Sequence, residues 1–168
     1  MKSVEGKTVL VTRAAMGLGK LFATKAVQER AATVVLWDVN EQALVETVEE
    51  LQAAGGTVHG YVVDVSSQDE IAASAALVLD EVGPVDVLFN NAGIVRGNSY
   101  FWETEDAAQI QLTMAINSVA PMLVAREFLP GMIAKSGECR IVNIASSAGL
   151  VSNPRMAVYA ASKWAAIG

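Results

Sequence analysis

The sequence predicts an α/β fold, a doubly wound parallel sheet with five strands in this chain. Three observations predict it. Five short runs are apolar throughout instead of alternating, the habit of strands covered by helices on both faces. Patterns of helical period separate those runs. Strand and helix alternate five times, and parallel strands joined by right-handed crossovers follow from that order.

The runs are residues 8–12, 33–37, 58–63, 85–90 and 140–145. The first feeds a glycine-bearing turn and a helix. After the second, Leu44, Val48 and Leu51 recur at i, i+4 and i+7, and Gly55-Gly56 stops that helix. The next begins at Ser67, with Glu70 three residues on as a capping box, and ends at Gly83-Pro84. A longer helix is expected over about residues 105–132, and another from near Pro154.

At 168 residues the chain fits one domain. That length supports a core without disulfides or structural metal. With 52% hydrophobic and 18% charged residues, disorder is excluded. Twelve Lys+Arg against eighteen Asp+Glu leave a net charge of −6. An acidic chain without a basic cluster is a poor partner for nucleic acid or an anionic membrane. Cys139 and His59 are each the only residue of their type, which excludes an internal disulfide and the familiar Cys/His zinc sites. The charged start, Met1 to Lys7, lacks the apolar stretch of a signal peptide, and no run of about 18 uninterrupted apolar residues follows. A cytoplasmic location is expected.

Thr12-Arg13-Ala14-Ala15-Met16-Gly17-Leu18-Gly19-Lys20 follows the first strand and opens a helix. Such a turn lets the backbone approach a pyrophosphate, whose charge then rests at the helix N-terminus. It is not a Walker A loop, because no glycine stands five residues before Gly19 and Leu21 replaces Ser/Thr. The GxGxxG fingerprint fails too, its third position being Phe22. Two glycines also suit a plain tight turn. Asp38 closes the second strand nineteen residues after Gly19. A carboxylate there can bind both ribose hydroxyls of NAD and repel the 2′-phosphate of NADP. An N-cap for the following helix is the other reading. Asp64, after the third strand, can reach an adenine edge or simply cap.

Tyr159 and Lys163 are spaced i, i+4 and share one helix face. Ser146 lies thirteen residues before Tyr159, at the end of the fifth strand, where open α/β sheets bind ligands. Asn117 lies inside the long helix. A phenol, with a reference pKa of roughly 10, needs a neighbouring cation to act as a base near neutrality. Lys163 is placed to supply it, and Ser146 to polarise a carbonyl or hold an alcohol. Pro121 has no N–H, so the carbonyl of residue 117 loses its i+4 partner and is free for water. Tyr-x-x-x-Lys alone is common by chance.

Taken together, Gly17-Leu18-Gly19, Asn90-Asn91-Ala92-Gly93, Asn117, Ser146 and Tyr159-Ala160-Ala161-Ser162-Lys163 resemble the short-chain dehydrogenase/reductase family, in order and spacing, over essentially the whole chain. The resemblance implies a Rossmann-type sheet in three α/β/α layers and a nicotinamide cofactor. It also implies reversible hydride transfer between an alcohol and a ketone or aldehyde. Tyr159 would be the general acid/base, and Ser146 would hold the substrate oxygen. Lys163 would lower the Tyr159 pKa and bind the nicotinamide ribose. Asn117 would anchor, through its main chain, a water relaying protons. Thr12, Arg13 and Met16 to Gly19 would border the cofactor, Asp64 and Val65 would meet the adenine, and Asn91, Ala92 and Gly93 would floor the adenosine ribose. Asp38, with Met16 where NADP-preferring relatives carry a basic residue, favours NAD over NADP. Family members commonly pair into dimers or tetramers through their long helices.

Two departures stand out. Arg13 occupies the family's first glycine, so crowding and weakened cofactor binding are expected; a salt bridge to a phosphate is the other reading. The sequence also stops five residues after Lys163, where relatives continue through substrate-enclosing elements. The expectation is therefore one dinucleotide-binding and catalytic domain over residues 1–168, cut short after the Tyr-x-x-x-Lys helix. The competing function is a non-catalytic dinucleotide-binding or scaffold unit. A hydrolase is excluded, since no histidine follows Ser146 or Ser147. Tyr100, Phe101 and Trp102 wall a substrate pocket or simply pack, and Phe101-Trp102-Glu103-Thr104 resembles family members acting on retinoids and steroids. Trp164 reads as core or subunit interface.

Overall fold

The computed structural model describes residues 1–96, 99–103, 106–151 and 153–168. The strands are β1 Thr8–Thr12, β2 Thr33–Asp38, β3 Val58–Val62, β4 Val87–Asn90 and β5 Arg140–Asn143. They form one parallel sheet in the order β3-β2-β1-β4-β5. The helices are α1 Gly17–Gln28, α2 Glu41–Ala53, α3 Gln68–Glu81, α4 Ala107–Met114, α5 Ala120–Ala134 and α6 Ala157–Ile167. The strand order reverses between β1 and β4, and the crevice beyond their C-terminal ends is where such sheets bind ligands.

The central strand shows how the layers arise. Val9 and Val11 point to one side and Leu10 to the other, and all three are fully buried. On the first side, Val9, Val11, Val34 and Leu36 pack against Ala23 and Ala26 of α1 and Leu44 and Leu51 of α2. On the second, Leu10, Val35, Trp37 and Leu88 pack against Ile71 and Val78 of α3 and Val124 and Phe128 of α5. The expected three-layer α/β/α sheet is present. Coverage on both faces holds for the inner strands only. The edge strands β3 and β5 expose Gly60, Val62, Arg140 and Asn143.

Strand ends lie within two residues of the apolar runs, and ladder hydrogen bonds continue past several of them. Asp86 N–H donates to Thr8 O, Val63 N–H to Asp38 O and Ile144 N–H to Asn90 O, at 2.9 to 3.0 Å. The capping box at Ser67 is half formed. Ser67 Oγ accepts from Glu70 N–H at 3.3 Å, but the Glu70 carboxylate accepts from Asp64 N–H (2.9 Å), not from Ser67. Trp37 is fully buried beside Phe128, and its Nε1 has no hydrogen-bond partner among the described residues. At the N-terminal edge of the sheet, Asp86 accepts from Thr8 N–H (2.8 Å) and pairs with Lys135 (2.7 Å). Burial alone would raise its carboxyl pKa; Lys135, the Thr8 amide and Lys7 outweigh it and hold the pKa below the ordinary value.

The long helix is not uniform. Between α4 and α5, residues Ala115–Val119 form a π-helical turn in which Ala120 N–H reaches back to Ala115 O. Pro121 explains the widening, since it cannot donate to the carbonyl of Asn117. The expected start near Glu105 lies outside the described residues. The run Ala107–Ala134 is long and apolar enough, by length and composition, to cross a membrane. Here Val124, Phe128 and Met132 lie buried against the sheet. Trp164 is 53% exposed, so the core reading fails; α6 turns Ser162 and Lys163 inward instead.

Candidate active site

The turn after β1 is tied from several sides. Ala14 N–H donates to Trp37 O (3.1 Å), Ala15 N–H to Asp38 Oδ2 (2.9 Å), and Thr47 Oγ1 to Ala15 O (2.9 Å). Asn91 Nδ2 donates to Thr12 O and Arg13 O at 3.0 and 3.2 Å. A Cβ on Gly19 would stand 2.1 Å from Arg13 O, so glycine is required there by close approach. Arg13 sits at φ 53°, the left-handed region that costs a non-glycine residue about 1–2 kcal/mol. The turn thus keeps a glycine's backbone shape while carrying a guanidinium.

Helix α1 begins with no side-chain cap from Met16 and no acid in its first turn. Its leading N–H groups lie open to an anion. Beside them runs a cleft of about 280 Å³ whose walls include Arg13, Met16, Asp38, Asp64, Val65 and Gly93. Asp38 is 5% exposed, with Oδ1 accepting from Asn40 N–H at 3.0 Å and Oδ2 from Ala15 N–H. Each oxygen retains a lone pair for a hydroxyl donor. The N-cap of α2 is Asn40, whose side chain accepts from Ala43 N–H, so the capping alternative for Asp38 falls. Asp64 closes a local turn on Ser66, accepting from its N–H and Oγ at 2.8 and 2.7 Å. Ser67 caps α3.

Two residues expected at the cofactor are engaged in hydrogen bonds that hold the turn. Thr12 is 1% exposed, and its Oγ1 accepts from Asn91 N–H and Ala92 N–H while donating to Phe89 O. Asn91 is 8% exposed and holds the turn as described. Ala92 and Gly93 reach the cleft wall, whereas Leu18 is exposed and does not line it.

Behind Gly93, which lines the cleft, the polar residues of α6 meet the π-helical turn. Lys163 is 4% exposed, and its Nζ donates to Ile144 O at 2.7 Å. Burial pushes its ammonium pKa down from the ordinary 10.5. The same Nζ lies 5.9 Å from the ring centre of half-buried Tyr159. Asn117 Nδ2 donates to Ile94 O (2.9 Å) and Ser162 Oγ (3.0 Å), and Oδ1 accepts from Ile94 N–H (2.8 Å). Ser162 Oγ donates to Tyr159 O, and Ser118 Oγ to Ser162 O. The fold therefore brings Asn117, Tyr159 and Lys163 together, with Gly93 against them. A Cβ there would stand 3.4 Å from both Asn117 Oδ1 and Lys163 Nζ. Ser146, in extended backbone after β5, accepts from Ala148 N–H at 3.2 Å and keeps its own O–H to donate.

Sequence reasoning missed Ser118, Ser162, Ile94 and Gly149. Gly149 seats α6, since a Cβ there would meet Lys163 O at 2.6 Å. The one sequence signal was Ser162 itself, inside Tyr-Ala-Ala-Ser-Lys. Near Tyr159, a hollow of about 20 Å³ is walled by Phe101, Gln109, Ile110, Thr113 and Val158. Tyr100 and Trp102 stack at 4.7 Å on the exposed rim, with the Arg155 guanidinium 5.6 Å from the Tyr100 ring. Thr104 lies outside the described residues.

A family model described as short chain dehydrogenase matches residues 7–168. Estradiol 17-beta-dehydrogenase 11 of Homo sapiens is 41% identical over 167 residues, covering 99% of this chain and 54% of the human protein. Epidermal retinol dehydrogenase 2 of Mus musculus is 40% identical, covering 99% and 53%. The chain spans about half the length of these curated relatives. Among solved structures, a short-chain dehydrogenase/reductase from Burkholderia phymatum in complex with NAD superposes with a TM-score of 0.93 at 38% identity, covering 99% of this chain and 58% of that one. A metagenomic short-chain oxidoreductase in complex with NADP gives 0.91 at 37%, covering 99% and 74%. The chain belongs to the short-chain dehydrogenase family.

Proposed function

We propose that the chain carries the dinucleotide-binding and acid/base part of an NAD-dependent oxidoreductase interconverting an alcohol with a ketone or aldehyde. The observation that carries the proposal is the network joining Asn117, Ser162, Tyr159 and Lys163, which meets Gly93 on the wall of the cleft that also presents Asp38 beside an uncapped helix. Open first-turn amides fit a pyrophosphate, and Asp38's remaining lone pairs fit ribose hydroxyls. A bound nicotinamide supplies the hydride acceptor in oxidation and the donor in reduction.

The chain's own residues supply the rest. Ser146 donates to the substrate oxygen and fixes its position. Tyr159 takes the hydroxyl proton during oxidation and returns it during reduction. Lys163, a buried cation beside that ring, opposes the developing negative charge and offers N–H donors to the ribose. Asn117 sets the depth of α6 through Ser162, and the carbonyl of residue 117, which Pro121 cannot cap, is open to a water. The relatives named for estradiol and retinol support an apolar alcohol as substrate. A non-catalytic binding unit would need none of the Tyr159–Lys163 arrangement.

NAD at about 100 times its dissociation constant should stabilise the fold by roughly 2.7 kcal/mol. A melting curve unmoved by millimolar NAD overturns the cofactor assignment. Tyr159→Phe should keep that shift while abolishing NAD reduction with any alcohol the wild type oxidises. Retained turnover in the variant overturns the acid/base role.

A further inference from the structure

We infer that Arg13 is a cofactor-selecting residue. Its guanidinium offers a phosphate a partner in the Asp38 cleft and brings the affinity for NADP close to that for NAD. The inference rests on the dinucleotide-binding reading above and concerns a position where this chain departs from its family.

Arg13 lines the same cleft as Asp38 and Asp64, and it is the only cation among the described residues that line it. It is exposed and makes no ion pair among the described residues. Its charge is therefore available to a ligand. The cleft retains about 280 Å³ with the side chain on its wall, so the expected crowding leaves room for a ligand.

The backbone adds a second argument. A non-glycine residue at φ 53° persists only where its surroundings over-determine it, and such outliers concentrate at ligand sites. Here the Asn91 amide and the packing of Gly19 pin the Arg13 carbonyl whatever side chain the residue carries. The strain is imposed by the turn, and arginine occupies it where glycine would relieve it.

The third argument is electrostatic. Discrimination against NADP in this fold comes from a carboxylate facing the 2′ position. Both oxygens of Asp38 accept backbone N–H bonds, from Ala15 and Asn40, which fix the carboxylate in place in the cleft. A guanidinium binds phosphate with paired N–H···O bonds and stays charged at any working pH. One cation on the same wall as that carboxylate offsets part of its repulsion of a 2′-phosphate and narrows the gap between the two cofactors.

The test is equilibrium binding of NAD and NADP to the intact chain by calorimetry, for wild type, Arg13→Gly and Arg13→Lys. In the wild type the two dissociation constants should lie within about tenfold of each other. Arg13→Gly, which also relieves the backbone strain, should raise the NADP-to-NAD ratio of dissociation constants at least about tenfold, roughly 1.4 kcal/mol. Arg13→Lys, which keeps the charge but not the paired donors, should give a ratio between those of wild type and Arg13→Gly. Raising the salt should weaken NADP more in wild type than in Arg13→Gly. A wild-type preference for NAD above about 100-fold, or a ratio unchanged by Arg13→Gly, overturns the inference while leaving NAD binding intact. Failure of the wild type to bind either dinucleotide overturns the underlying cofactor assignment as well.

Discussion

Asn117 and Ile94 close a ring of two hydrogen bonds. The amide Nδ2 donates to Ile94 O at 2.9 Å, and Oδ1 accepts from Ile94 N–H at 2.8 Å. The side chain thus mimics a neighbouring strand for the loop leaving β4. Its second N–H proton goes to Ser162 Oγ, which ties that loop to the helix bearing Tyr159 and Lys163.

Asn117→Ala should therefore cost more than its size implies. It leaves both backbone groups of Ile94 without their side-chain partner, a loss of about 2 kcal/mol by chemical denaturation. Asn117→Asp should restore little of this, because a carboxylate keeps the acceptor for Ile94 N–H but donates to neither Ile94 O nor Ser162. Full recovery of stability with aspartate would show that the donor half of the ring contributes nothing.

Lys163 makes stability rise with pH in a definite window. Its ammonium pKa in the folded protein lies below 10.5, so over the interval between the two values the unfolded chain binds more protons. The favourable contribution is complete above 10.5 and disappears as pH falls through the folded value. Wild type measured against Lys163→Met, by urea denaturation in steps from pH 7 to 10.5, should gain relative stability as pH rises. A flat or falling difference would contradict the burial of the ammonium.

Two glycines in the first turn should fail for different reasons. Gly19→Ala drives a Cβ to 2.1 Å from Arg13 O, a backbone atom with no room to retreat, and should cost about 3 kcal/mol. Gly17 has φ 57° but nothing within 4 Å of an added Cβ, so Gly17→Ala should cost only its dihedral strain, about 1 kcal/mol. Denaturation midpoints of the two variants decide it, and the reverse order would mean that dihedral preference outweighs packing at this turn.

Most of the architecture was legible before any coordinates, because it is written in local patterns. Apolar runs and helical spacing gave the order β1 to α6, and Asp38, Tyr159 and Lys163 stood out by spacing from motifs near them in the chain. The widening of the long helix was partly legible as well, since Pro121 lacks an N–H whatever surrounds it.

Hydrogen bonds across long stretches of chain decided the rest. Thr12 looks like a cofactor contact from its place in the turn, yet residues 79 and 80 positions away occupy its hydroxyl. Asp38 looks like a cap until Asn40 takes that role and Ala15, 23 residues back, donates to the carboxylate. Gly19 stands in the sequence as part of a glycine-bearing turn and Gly149 carries no signal, but each is fixed by a backbone carbonyl from another segment that a Cβ would strike. Periodicity follows from the backbone geometry of a single element, so sequence alone carries it. Which partner satisfies a buried polar group depends on how separate elements meet, and only the packed structure assigns it.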